Sequence, residues 1–107
     1  MEIINCTPHA ISIIVDSKTT TFEVSGIIPR VSTEQVEAPE IDGFPCVTST
    51  TGDVEGLPKQ QPDTFYIVSG MVFAASNRTD LIAPDTGKTA IRNEKGHIVA
   101  VTRFLRK

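Results

Sequence analysis

The feature that most limits how this chain can fold is its punctuation: seven prolines and seven glycines spread from Pro8 to Gly96 along 107 residues. Proline fixes φ and removes a backbone donor, and glycine loosens the backbone, so the segments between them favour short elements over long helices. Most of those segments carry a strand signature. Thr19 to Val24 alternates cleanly, with Thr20, Phe22 and Val24 on one face and Thr19, Thr21 and Glu23 on the other. Met1–Cys6 and Ala10–Val15 read as two further strands separated by Thr7-Pro8-His9, with Asp16-Ser17-Lys18 as the turn that follows. Ile27–Thr33 reads as a strand whose Pro29 belongs at an edge or bulge.

Beyond Thr33 the pattern weakens. Glu34 to Gly43 reads as an acidic connection containing Pro39 and Asp42-Gly43. Phe44–Ser49 and Asp53–Leu57 are short candidate strands, and Pro58–Asp63 is a polar surface loop. Thr64–Val68 is an apolar, β-branched and aromatic run suited to a buried strand. The period then changes: Val68, Met71, Val72 and Ala75 recur at helical spacing behind Ser69, a good N-cap, with Asn77 as the left-handed residue at the helix end. Ala90–Asn93 and His97–Leu105 read as a closing hairpin. The expectation is a mainly β (α+β) single domain over residues 1–107, a small sandwich or barrel of short strands with one short helix.

Charge is unevenly placed. Residues 66–107 hold seven bases and three acids, residues 1–65 three bases and ten acids, which together give the net charge of −3. That balance excludes general binding to long nucleic acid, which needs a strongly basic face, but suits a small anion held by a few arginines. Two cysteines, Cys6 and Cys46, are too few for a disulfide framework. The opening Met-Glu-Ile-Ile-Asn-Cys lacks the basic and apolar regions of a leader, and no apolar run is long enough to span a bilayer. The expected setting is the cytoplasm, without membrane contact.

Catalytic and metal patterns find little support. Cys6 and His9 lie three apart, but no second pair stands at zinc spacing, so no metal or other cofactor is expected. Two-histidine phosphodiester chemistry would pair each histidine with a hydroxyl two residues on; here the runs are His9-Ala10-Ile11 and His97-Ile98-Val99. Neither a nucleophile elbow nor a phosphate loop occurs. Glu34, Glu37, Glu40 and Asp42 lack calcium-loop spacing and read as a solvated face.

An anion site has more in its favour. A strand ending at Val68 and a helix starting at Ser69-Gly70 would present free N–H groups, and Arg78, Arg92 and Arg103 could add guanidinium forks, with Arg30 as a fourth. Tyr66 and Phe73 offer rings, for stacking or for the core. The plainer alternative is that Ser69 only caps its helix and Arg78 only pairs with Asp80.

Several segments together resemble a family of small phage and prophage proteins: Asn5-Cys6-Thr7-Pro8-His9-Ala10-Ile11, Gly26 to Val31 ending in Pro29-Arg30-Val31, Gly52-Asp53-Val54-Glu55-Gly56-Leu57-Pro58 and Tyr66-Ile67-Val68-Ser69. Arg78-Thr79-Asp80-Leu81 with Pro84, Arg92-Asn93 and Gly96-His97-Ile98-Val99 extend the resemblance over nearly the whole chain. That family is similar to phage anti-defence sponge proteins, which bind cyclic nucleotide immune signals and release them unchanged. The resemblance implies a non-enzymatic protein that sequesters a cyclic dinucleotide or related signal, with Thr7, His9, Arg30, Ser69, Arg78 and Arg92 at the ligand. It also implies a symmetric homo-oligomer. Ile28-Pro29 departs from the pattern, where small residues would be usual. A protein-interaction or virion accessory module without a small ligand is the alternative, with a nucleotide phosphodiesterase behind it.

Overall fold

The structure is a computed structural model and describes residues 1–107. Its centre is a four-stranded sheet in the order β1 (Glu2–Asn5), β6 (Thr64–Ile67), β7 (Leu81–Pro84) and β10 (Phe104–Arg106). The first three strands run parallel and β10 is antiparallel to β7. Between β6 and β7 lies α1 (Gly70–Ala75), the only helix, so β6–α1–β7 is a compact crossover. The Ser69 hydroxyl accepts from the Val72 N–H at 3.3 Å, as its N-cap position requires. The helix ends at Ser76 in extended backbone, and Asn77 takes no left-handed turn, contrary to expectation. Ser76 Oγ instead accepts from the Arg78 N–H and leads the chain directly toward β7.

Tyr66, Val68, Leu81, Val72 and Cys6 form the buried core on one face of this sheet, beneath the helix. Ile4, Val31, Val54, Leu57 and Phe73 pack around it. The other face meets the hairpin of β2 (Ile11–Val15) and β3 (Lys18–Phe22), where Phe22 and Phe104 stand edge to face with centroids 6.1 Å apart. That hairpin closes through Asp16 and Ser17, both at positive φ, the conformation of the turns that match strand twist. The strands form four separate sheets and do not close into a barrel.

The largest departure from the sequence reading is at residues 34–43. They are no loose connection. β4 (Arg30–Ile41) pairs antiparallel with β5 (Phe44–Glu55) in one hairpin of two twelve-residue strands, the longest in the protein. Asp42-Gly43 forms its two-residue turn, both residues at positive φ. Pro39 fits because the register shifts between Ala38 and Ile41, where the ladder does not need its missing N–H. A second shift lies between Val31 and Thr33, opposite Gly52 and Asp53, so the two short strands expected at 44–49 and 53–57 are one bulged strand.

The C-terminal hairpin is also shorter than expected. β8 (Ile91–Arg92) pairs with β9 (Ile98–Ala100) across the Asn93–His97 turn. The chain then leaves: Val101 bridges to Ile13, and Phe104–Arg106 joins β7 in the central sheet. Burial of Phe104 against Phe22 is the apolar reason for that switch.

Candidate anion-binding site

Thr7 and His9 belong to a buckle built on Asn5, which is only 2% exposed. Asn5 Nδ2 donates to the carbonyls of His9 (2.8 Å) and Phe22 (2.9 Å). Its Oδ1 accepts from the Thr7 N–H (2.9 Å) and the Thr7 hydroxyl (2.7 Å). That hydroxyl shares its single proton with the His9 carbonyl at 2.8 Å. The Asn5 carbonyl accepts from Ser25 through both N–H and Oγ. One side chain thus ties the end of β1 to the chain reversal at Pro8 and to the end of β3. The Asn-x-Thr-Pro-His segment is occupied with holding the fold. Thr7 is buried and its hydroxyl committed, while the exposed His9 ring lines a separate groove of ≈ 280 Å³ beside Pro84, Thr86 and Val99.

Arg78 is committed as well. Its Nε and Nη2 grip Asp80 at 2.9 and 2.6 Å, and Nη1 donates to the Pro58 carbonyl at 2.8 Å. Asp80 is buried, so the pair is the fork-to-carboxylate arrangement that a desolvated carboxylate requires. The hydrogen bond to Asp80 raises the Arg78 pKa above its ordinary value. The Tyr66 hydroxyl donates to the Lys59 carbonyl, so Tyr66 and Arg78 together pin the 58–63 loop against the core. Arg103 is likewise taken, by Asp85 at 2.6 Å. Ser69 is used as the helix cap, and a six-residue helix leaves little dipole to offer an anion. Arg30 starts β4 opposite Glu55 at the base of the long hairpin.

Arg92 is different. It is exposed and makes no ion pair. Nη1 donates to the Gly96 carbonyl (2.9 Å) and Nη2 to the Thr86 carbonyl (3.3 Å). These bonds set the guanidinium without neutralising it. The turn beside it is held by Asn93 Oδ1, which accepts from the N–H groups of Lys95 and His97, both at 3.0 Å. Arg92, Asn93, Glu94, Lys95 and His97 line an open pocket of ≈ 670 Å³ to which no hydrophobic residue contributes.

The six residues expected at a ligand therefore do not gather. No two of them line the same one of the principal surface pockets: His9, Arg78 and Arg92 belong to three different ones. Thr7 and His9 meet only through a backbone carbonyl. Lys95, His97 and Asn93 accompany Arg92 instead, and the signal for them was local: Asn93-Glu94-Lys95-Gly96 is turn chemistry that brings Lys95, and His97 just after it, beside Arg92. No three His, Cys, Asp or Glu side chains converge as a metal site would need, and no helix is long and apolar enough to cross a membrane. Comparisons with known protein families, curated proteins and solved structures found no match.

Proposed function

We propose that this protein is a non-enzymatic binder that sequesters a small nucleotide anion of the cyclic-dinucleotide class, in the manner of a phage anti-defence sponge. The observation that carries the reading is the Arg92 turn. There the Arg92 guanidinium, free of any ion pair, and Lys95 outnumber the single carboxylate of Glu94 along one open pocket of ≈ 670 Å³, within the size range of small-molecule sites. A cyclic dinucleotide carries two phosphodiester charges, which suit one guanidinium and one ammonium. His97 adds a donor or acceptor for a base or ribose edge.

The test is a thermal-shift panel of cyclic mono- and dinucleotides. A ligand at a hundredfold its Kd adds about 2.7 kcal/mol to stability, which for a domain of this size raises Tm by roughly 10–20 °C. Boiling the complex returns the ligand unchanged. R92A with K95A abolishes the shift while leaving the apo Tm in place. No stabilisation by any nucleotide defeats the proposal, and a new chromatographic product accumulating with time replaces it by the phosphodiesterase reading. A second reading, an interaction module without small ligand, is favoured by one observation, the long exposed β4–β5 hairpin. It prevails if no nucleotide stabilises the protein and a single protein partner is captured at one-to-one stoichiometry.

A further inference from the structure

The β4–β5 hairpin has an apolar face that nothing in the chain covers. Residues directly opposite in an antiparallel pair share a face, so the pairs Val36–Thr48, Ala38–Cys46 and Ile41–Phe44 assign these side chains together. The register shift between Ala38 and Ile41 is what brings Ile41 onto the face of Val36 and Ala38. Val36, Ile41 and Phe44 are 58%, 69% and 70% exposed. Only the base of the hairpin, at Val31 and Val54, packs against the core.

The whole molecule carries the same signature. A compact monomer of 11.6 kDa exposes about 5,800 Å², whereas this chain exposes 7652 Å². The excess, about 1,800 Å², is what one protomer contributes to an obligate dimer. The radius of gyration agrees: 16.9 Å against about 13 Å for a compact chain of this length.

Charge and edge chemistry choose the partner. Residues 30–55 hold six acids and one base, a net of −5, while residues 66–107 are net +4. Arm against arm would bring like charges together; arm against the β10 side of another copy's central sheet meets Arg106, a base without an ion pair. Pro39 on β4 and Pro45 on β5 interrupt the donors of both arm edges, so the arm meets its partner by its face rather than by adding a strand. The central sheet has a matching recess. Ile3 lies beside Phe65 and Ile82 beside Arg106 on its outer face, and with Met1 and Phe104 they line a groove of ≈ 250 Å³. Arg106 lies over the Phe65 ring at 5.5 Å and has no carboxylate partner within the chain.

We propose that the apolar face of the β4–β5 arm docks into the Ile3–Phe65–Phe104 groove of a second copy, with Arg106 meeting the arm's carboxylates. Exchange of both arms closes a two-fold dimer with two identical contacts. This assembly does not depend on whether the Arg92 turn takes a ligand.

Native mass spectrometry and light scattering at micromolar concentration test it. The expected species is a dimer. I41D with F44D, both at exposed positions, yields a monomer with unchanged far-ultraviolet circular dichroism, and R106E raises the dimer Kd about 30-fold or more. Cysteine cross-linking reads the geometry. I3C links to Cys46 between chains, while arm-to-arm packing would link Cys46 to Cys46 in the wild type. A monomer at all concentrations up to the solubility limit overturns the proposal. So does a predominant Cys46–Cys46 product, or an I41D/F44D variant that remains dimeric.

Discussion

Replacing Asn5 by alanine tests whether the Asn-x-Thr-Pro-His segment is scaffold. The side chain makes four hydrogen bonds in a site that is 2% exposed. The Thr7 hydroxyl keeps its alternative acceptor in the His9 carbonyl, so three of the four interactions are lost without replacement. At roughly 1 kcal/mol net each, with a further 1–2 kcal/mol for the Thr7 N–H left buried without an acceptor, the cost is about 4–5 kcal/mol. A domain of this size has only about 5–15 kcal/mol in total, so the variant sits near the edge of folding and loses roughly 15–30 °C in Tm. Urea unfolding provides the assay, followed by circular dichroism and by fluorescence of Tyr66, the single tyrosine, which is buried in the core. N5D is the control. It keeps shape and acceptors but aims an oxygen at the His9 and Phe22 carbonyls, and it must cost at least as much at pH 7. A loss below 1 kcal/mol for N5A at unchanged m-value would refute the reasoning.

Three further outcomes follow from individual contacts. R78A leaves Asp80 buried and unpaired and frees the 58–63 loop; because Arg78 is itself partly exposed, the expected loss is about 2–3 kcal/mol by chemical denaturation. R78A with D80L recovers much of that loss, whereas a ligand-only role for Arg78 predicts no change in apo stability. Arg103, and then the Gly87 N–H, hold the Asp85 carboxyl below its ordinary range. This carboxyl therefore stabilises the fold above its unfolded pKa near 4, and the contribution disappears as pH falls through the lower folded value. Tm measured between pH 6 and 2.5 shows that loss, and D85N removes that part of the profile. Burial pushes the Cys6 thiol up, against a smaller opposing effect of the Ser25 hydroxyl. Its raised value favours the native state below the unfolded thiol pKa and weakens it as pH rises beyond, so a thiol reagent at pH 8 labels half-exposed Cys46 at once and Cys6 only on unfolding.

What the sequence revealed and what it concealed divide along the range of the interactions. The β6–α1–β7 core was legible because its signals are local: an unbroken apolar run, a serine cap, a change of period from two to helical. The outer half of β4 was not. Val36 and Ala38 alternate with Glu37 weakly, and the shift before Ile41 breaks the alternation where it would become persuasive. Asp42-Gly43 was a turn signal in plain view, but only the pairing with β5 explains how Pro39 is tolerated beside it. The Arg78–Asp80 pair could be read two residues apart; the Arg103–Asp85 pair, eighteen apart, could not.

The same division explains why the expected site dispersed. The conspicuous short motifs, Asn5 to His9 and Arg78 to Asp80, draw attention because their residue types are exacting, and Asn5, Thr7, Arg78 and Asp80 each meet that demand through hydrogen bonds within the fold. A group whose donors are all satisfied inside the fold must break native bonds before it can hold anything else, so it is a poor place to bind. Arg92 differs in kind: its hydrogen bonds go to neutral carbonyls, which orient the guanidinium and leave its charge intact for an anion. The arm differs too, because its apolar face has lost nothing to a partner within the chain. The two proposals of binding therefore rest on these two segments, and of the two the arm was the harder to read, since a surface kept free within the chain leaves no intramolecular pattern in the sequence.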